Sequence, residues 1–124
     1  AGIQIYSAGT KAHVGLVSKL DDPVNPQNMV KAYREGNNWK IAKVVGGTMT
    51  ILQTIAATFV ADSLAEIRWP TTTTVELWYG GSKISTTHAV NDIGAGTYYG
   101  MFSTRPNSLI TQFWLDSEVM SFEF

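Results

Sequence analysis

Two glycine pairs, Gly46-Gly47 and Gly80-Gly81, stand beside runs rich in β-branched and aromatic residues. A favoured two-residue connection between antiparallel strands, the type I′ turn, puts both central residues at positive φ, which glycine reaches without steric cost. Residues 75–79 and 83–87 therefore read as a hairpin closed by Gly80-Gly81, and 48–55 as the strand leaving Gly46-Gly47. Residues 29–34 and 39–45 flank a third turn, Glu35-Gly36-Asn37-Asn38. Loops are expected at 7–9, at 21–28 with Pro23 and Pro26, at 105–108 and at 116–117. Proline cannot donate to a strand ladder, and Asp and Asn favour turns. Turn signals spaced roughly 8–12 residues apart mark a sandwich, jelly roll or barrel.

The expected fold is all-β: a two-sheet sandwich or jelly roll of about ten short strands. It forms one domain over 1–124. The other strands fall at 3–5, 12–20, 97–102, 109–115 and 119–124. In the last of these Met120, Phe122 and Phe124 share one face, so it reads as a structural strand. One segment conflicts with the pattern. Residues 53–67 contain neither Gly nor Pro, and Ile55, Phe59, Val60, Leu64 and Ile67 suit one helical face. A short helix within 53–65 thus competes with a strand through 64–69. Trp69-Pro70 is expected to end either one.

Charge narrows the partners. Lys and Arg total 9 against 10 acids, scattered along the chain. Without a basic stripe to neutralise phosphates, a nucleic-acid partner is not expected. The longest apolar-leaning stretch, 51–60, is interrupted by Gln53, Thr54 and Thr58, so no membrane-spanning helix is expected. The opening residues have neither a basic nor an apolar leader segment and read as a strand, not a signal peptide. The chain has no cysteine, which excludes a disulfide scaffold and a thiolate zinc site and leaves the compartment unassigned. Charged residues make up 15%, below the usual quarter or so. Depleted charge characterises interface cores, so self-association as a dimer or trimer is expected.

Several constellations carry candidate chemistry. The run Gly94-Ala95-Gly96-Thr97-Tyr98-Tyr99-Gly100 looks like a dinucleotide fingerprint. Its spacing is wrong by one residue and a β-prone segment follows, so no nucleotide cofactor is expected. Ser85, His88 and Asp92 supply the groups of a hydrolase triad, but a strand would turn residues 85 and 88 to opposite faces. His13 and His88 lack further ligands at metal spacing. Asp21-Asp22 with Asn25 and Asn28 offers oxygens but lacks the order of a calcium loop. The carboxylates of Glu66, Glu76, Asp92, Asp116, Glu118 and Glu123 show no glycosidase-like pairing. No metal and no catalytic residue is expected.

Aromatics are the stronger signal. Trp78-Tyr79 and Tyr98-Tyr99 are adjacent pairs, and neighbours on a strand face opposite ways, so one of each pair can be exposed. Trp39 follows Asn37-Asn38 at an expected hairpin tip. Rigid amphipathic rings beside Asn and Asp suit sugar stacking or protein anchoring. The expected ligand-binding residues are Trp39, Asn38, Trp78, Tyr79, Tyr98 and Asp92. The expected function is a non-catalytic module that recognises a glycan or cell-surface protein partner through loops and exposed aromatics. The alternatives are a structural subunit of a particle or fibre and, third, a small hydrolase.

Overall fold

Loops of two residues force consecutive strands to pair antiparallel. Every strand pairing in the computed structural model is antiparallel. The structure describes residues 2–7, 14–60, 63–94, 96–103, 109–115 and 118–121, with side chains at 14–60, 63–94 and 96–102. The strands are β1 (Gly2–Ser7), β2 (Val14–Leu20), β3 (Met29–Glu35), β4 (Asn38–Val45), β5 (Thr48–Ala56) and β6 (Ser63–Thr71). They continue as β7 (Thr74–Tyr79), β8 (Ser82–Lys83), β9 (His88–Ala89), β10 (Tyr98–Ser103), β11 (Leu109–Leu115) and β12 (Glu118–Ser121). One sheet has the order β10-β2-β3-β4-β5. The other has the order β12-β11-β1-β6-β7-β8, with β9 also pairing β7.

The glycine turns sit where the sequence places them. Gly46 and Gly47 have φ of 57° and 82° and join the paired residues Val45 and Thr48. Gly80 and Gly81, at 62° and 82°, join Tyr79 and Ser82. Thr72 and Thr73 form a further turn between the paired Thr71 and Thr74.

Alternation then decides the core. Val14, Leu16, Val30, Ala32, Trp39 and Ile41 from the first sheet meet Ala65, Ile67, Val75, Leu77 and Tyr79 from the second. Val90 and Ile93 close one end from a loop. Each large apolar side chain so buried contributes roughly 1.5–3 kcal/mol. Gly15 pairs with Tyr33 on one side and Phe102 on the other, and those two rings lie edge-to-face at 6.3 Å.

Three sequence expectations need correction. No helix forms within 53–65 among the described residues. Gln53, Thr54, Ile55 and Ala56 instead pair with Ile41, Lys40, Trp39 and Asn38 of β4. The β-branched Thr50, Ile51, Thr54 and Ile55 lose χ1 freedom in a helix and fit the pleated ladder. The helix-like spacing arises because the chain changes sheets between Ala56 and Ser63, so the apolar residues there belong to two strands and an irregular segment. Second, Trp69-Pro70 does not end the following strand. β6 runs through to Thr71, and Pro70 falls where the β6–β7 register shifts between Arg68 and Thr71. Proline is tolerated at such a bulge because no ladder bond is asked of it. Third, the expected strand 83–87 does not form: β8 covers Ser82–Lys83 and 84–87 are irregular. Ser85 turns inward and its Oγ accepts the Leu77 N–H at 2.7 Å. At the far end β12 pairs with β11, while Phe122 and Phe124 lie outside the described residues.

Candidate functional site

The expected ligand-binding residues are not brought together. Trp39 is 0% exposed, and its ring lies 5.2 Å from that of Tyr79. Tyr79 is buried too, and its hydroxyl both donates to the Val60 carbonyl and accepts the Val60 N–H, each at 3.1 Å. The expected surface placement of Trp39 and Tyr79 is therefore corrected: both are core residues. The parity of the strands carries this signal, since Trp39 is in phase with Ile41, and Tyr79 with Val75 and Leu77. Asn38 is half-buried at the start of β4, the opposite end of that strand from the Lys43–Asp92 ion pair.

Trp78 lies on the outer face of its sheet, but its ring is occupied. The Arg68 guanidinium sits 3.9 Å from its centroid. Arg68 is itself held by Glu66 at 3.0 and 3.2 Å. The indole Nε1 donates to Glu76 at 3.1 Å. Glu76 also accepts from Lys83 and from Thr87, each at 2.7 Å. These bonds, from Lys83 foremost, hold the Glu76 carboxyl at about 2, against 4.5. The network satisfies its own members, and an incoming sugar would have to displace a guanidinium to stack on Trp78.

Ser85, His88 and Asp92 each bond to other partners. Ser85 Oγ donates to the Thr86 carbonyl at 2.8 Å while accepting from Leu77. His88 Nε2 lies 2.8 Å from Gln53 Oε1. Asp92 is bonded to Lys43 at 2.7 Å, which holds its pKa down. The Asp21 carboxylate is filled by N–H donors: the backbones of Asp22, Gln27 and Asn28 at 2.9–3.1 Å and the Asn28 amide at 3.0 Å. The Asn28 and Gln27 backbone bonds are the main reason its pKa falls to about 2. Asp21 thus ties the loop at 21–28 to itself. Among the described residues no group of three or more His, Asp or Glu could hold a metal ion. His13 lies outside the described residues.

A cleft of about 580 Å³ opens at one end of the sandwich. It is lined by Lys19, Thr72, Thr73, Asn91, Gly96 and Thr97, with Val90 and Gly94 beside them. Three stretches of chain converge there, around residue 19, at 72–73 and over 90–97. Lys19, next to last in β2, has a φ of 53°, a left-handed conformation that costs a non-glycine residue energy. Its ammonium lies 3.6 Å from the Trp69 ring centroid and donates to the Thr72 carbonyl. Trp69 is oriented in turn by its Nε1 bond to Ser18 Oγ at 2.8 Å. Burial lowers the Lys19 pKa. The Thr72-Thr73 turn is pinned to the loop opposite by the bond from Val90 N–H to the Thr73 carbonyl at 2.7 Å. Gly96 approaches so closely that a Cβ there would stand 2.2 Å from the Lys19 carbonyl oxygen.

Of the expected residues, two belong to the segments that build this cleft. Tyr98, next in the chain to Thr97, is 50% exposed. Asp92 follows Asn91 and anchors that loop through Lys43. The sequence reading missed Lys19, Trp69, Thr72 and Thr73. The Thr71–Thr74 run was visible, but nothing local tied it to residue 19. Comparison with protein-family models, curated proteins and solved structures gives no match. The class is therefore defined by the structure alone: an all-β protein of two antiparallel sheets, consistent with a sandwich, with a cleft between its end loops.

Proposed function

We propose that the protein is a non-catalytic binding module whose end cleft takes a glycan. The observation that carries this reading is the composition of the cleft wall: three threonines, an asparagine and a lysine in a wide, open depression. Threonine hydroxyls and an asparagine amide both donate and accept, which matches a surface of sugar hydroxyls. Among the described residues no carboxylate lines the cleft, and the Lys19 ammonium has no anionic partner there. A ligand carboxylate would pair with that ammonium at charge-assisted strength. The ligand class is accordingly an oligosaccharide that includes an acidic sugar. Half-exposed Tyr98, the chain neighbour of the cleft residue Thr97, offers a ring on which a sugar face can stack.

A glycan array with matched neutral and uronate- or sialate-bearing oligosaccharides tests this reading. Binding to acidic glycans is expected, weakened about 10- to 150-fold by Lys19→Met, which removes a charge-assisted bond worth about 1.5–3 kcal/mol. Tyr98→Ala is expected to weaken it as well. An array without signal, or a signal indifferent to both substitutions, refutes the assignment. The second reading, a subunit of an assembly, is favoured by one separate feature, the bare edge of β5.

A further inference from the structure

β5 is the outermost strand of its sheet. Natural edges are blunted with Lys, Pro, short strands or bulges, because a row of free N–H and C=O groups templates the pairing of another strand. Other sheet margins follow that rule. β8 and β9 have two residues each, and β10 is interrupted by a register shift between Tyr98 and Gly100. β5 follows it only at Leu52, where its own register shifts, and leaves 48–51 regular. Its nine residues, TMTILQTIA, include no charge, no proline and no glycine. Met49 and Ile51 are 45% and 40% exposed, and both lie opposite residues of one face of β4, Val44 and Ala42.

The phase of the free groups follows from the hairpin. Val45 and Thr48 close a two-residue turn. The closing pair of such a turn exchanges both hydrogen bonds, and bonded and non-bonded pairs alternate from there. Thr48 and Thr50 thus bond inward to β4, while Met49 and Ile51 point their N–H and C=O groups away from it. The ladder stays regular until Leu52, the extra residue where Ile41 pairs with Gln53 but Ala42 with Ile51. The usable edge is therefore 48–52.

We propose that two copies of this chain pair through this segment, antiparallel, about a two-fold axis at Thr50. In that register Met49 of one copy faces Ile51 of the other, and each such pair exchanges two hydrogen bonds. All the outward groups of 49 and 51 are then satisfied. The side chains also agree. Met49 and Ile51 of both copies form one apolar cluster on the outer face, and Thr50 meets Thr50 on the inner face, a favourable cross-strand pair. No like charges oppose each other, because the segment has none. Bond phase, face and charge are all self-complementary, which is why the occupant is a second copy and not an unrelated strand. The two sheets become one continuous sheet. Only five residues a side take part, so the contact falls below the roughly 1,000 Å² of a tight interface and the dimer depends on concentration.

Sedimentation over a wide concentration series tests the proposal on the whole chain. A monomer–dimer equilibrium is expected. Ile51→Lys places two like charges in the cluster on pairing and is expected to abolish the dimer. Met49→Lys is a second variant with the same expected loss, and far-UV circular dichroism verifies the fold of each. The chain lacks cysteine, so Thr50→Cys introduces a unique thiol. Opposed Cα atoms in a non-hydrogen-bonded pair stand about 4.5 Å apart, within disulfide reach. Thr50→Cys is expected to cross-link under mild oxidation faster than Thr54→Cys, which lies beyond the bulge. A monomer at every concentration, a dimer that survives both lysine variants, or equal cross-linking at 50 and 54 overturns the proposal. None of these outcomes bears on the cleft, whose residues lie elsewhere.

Discussion

Trp39 offers a sharp test of how the core is balanced. Its side chain is fully buried, and its Nε1 is a donor without a partner. Trp39→Phe removes that donor along with part of the ring. The volume lost is about 40 Å³, and a cavity costs roughly 24 cal/mol per Å³, so the void costs about 1 kcal/mol. An unsatisfied buried donor costs about 1–3 kcal/mol, which the substitution recovers. The aromatic contact with Tyr79 is kept. The two effects offset each other, and Trp39→Phe is expected to lie within about 1 kcal/mol of the parent. Trp39→Ala has no such compensation and is expected to cost about 3–5 kcal/mol, a large part of the roughly 5–15 kcal/mol that holds a domain. Urea unfolding followed by far-UV circular dichroism measures both. A Trp39→Phe loss of more than about 2 kcal/mol, with an unchanged m-value, would refute the reasoning, because the indole N–H must then be satisfied in solution.

Gly15→Ala is expected to destabilise by about 1–3 kcal/mol or more, since its Cβ would stand 1.9 Å from the Ala32 carbonyl oxygen and backbone cannot step aside. An unchanged urea midpoint would contradict that packing. Asp21 and Glu76 set an acid limit. Each has a folded pKa below its unfolded value, so its stabilisation is complete above the unfolded value and lost as pH falls through the folded one. The window runs from 3.8 and 4.5 down to about 2. Thermal midpoints are expected to fall across that window, and to fall less in an Asp21→Asn, Glu76→Gln double variant. Equal slopes for the two proteins would show that other carboxylates dominate.

The turns were legible because glycine pairs have one dominant use. Gly46-Gly47 and Gly80-Gly81 fix both hairpin position and register, and alternation from those points places Ile41 and Leu77 inside. Segment 53–67 was misread for a physical reason. A chain that leaves one sheet and enters another loses its period of two, and the break imitates a helical spacing. The polar turn before Trp39 suggests an exposed position, although its phase with Ile41 shows the reverse. The cleft was illegible for a different reason. Lys19, Thr72 and the 91–97 stretch are distant in sequence and meet because β10 pairs with β2, because Lys19 donates to the Thr72 carbonyl and because Val90 bonds Thr73. No local pattern encodes that convergence.

The order of strands in the two sheets also divides the labour of reaching the native state. β2, β3, β4 and β5 follow one another in sequence and in space, so this meander can zip from its own turns. β1 is different. It is held between β6 and β11, with Gly2 opposite both Glu66 and Trp114. Joining those partners closes loops that span most of the chain, and the entropy of closure must be met before any ladder bond forms. Until 109–115 arrives, β1 keeps one bare side beside β6. The same sequence therefore contains a quick half and a slow half. The exposed period of the slow half is set by topology rather than by the strength of any single contact.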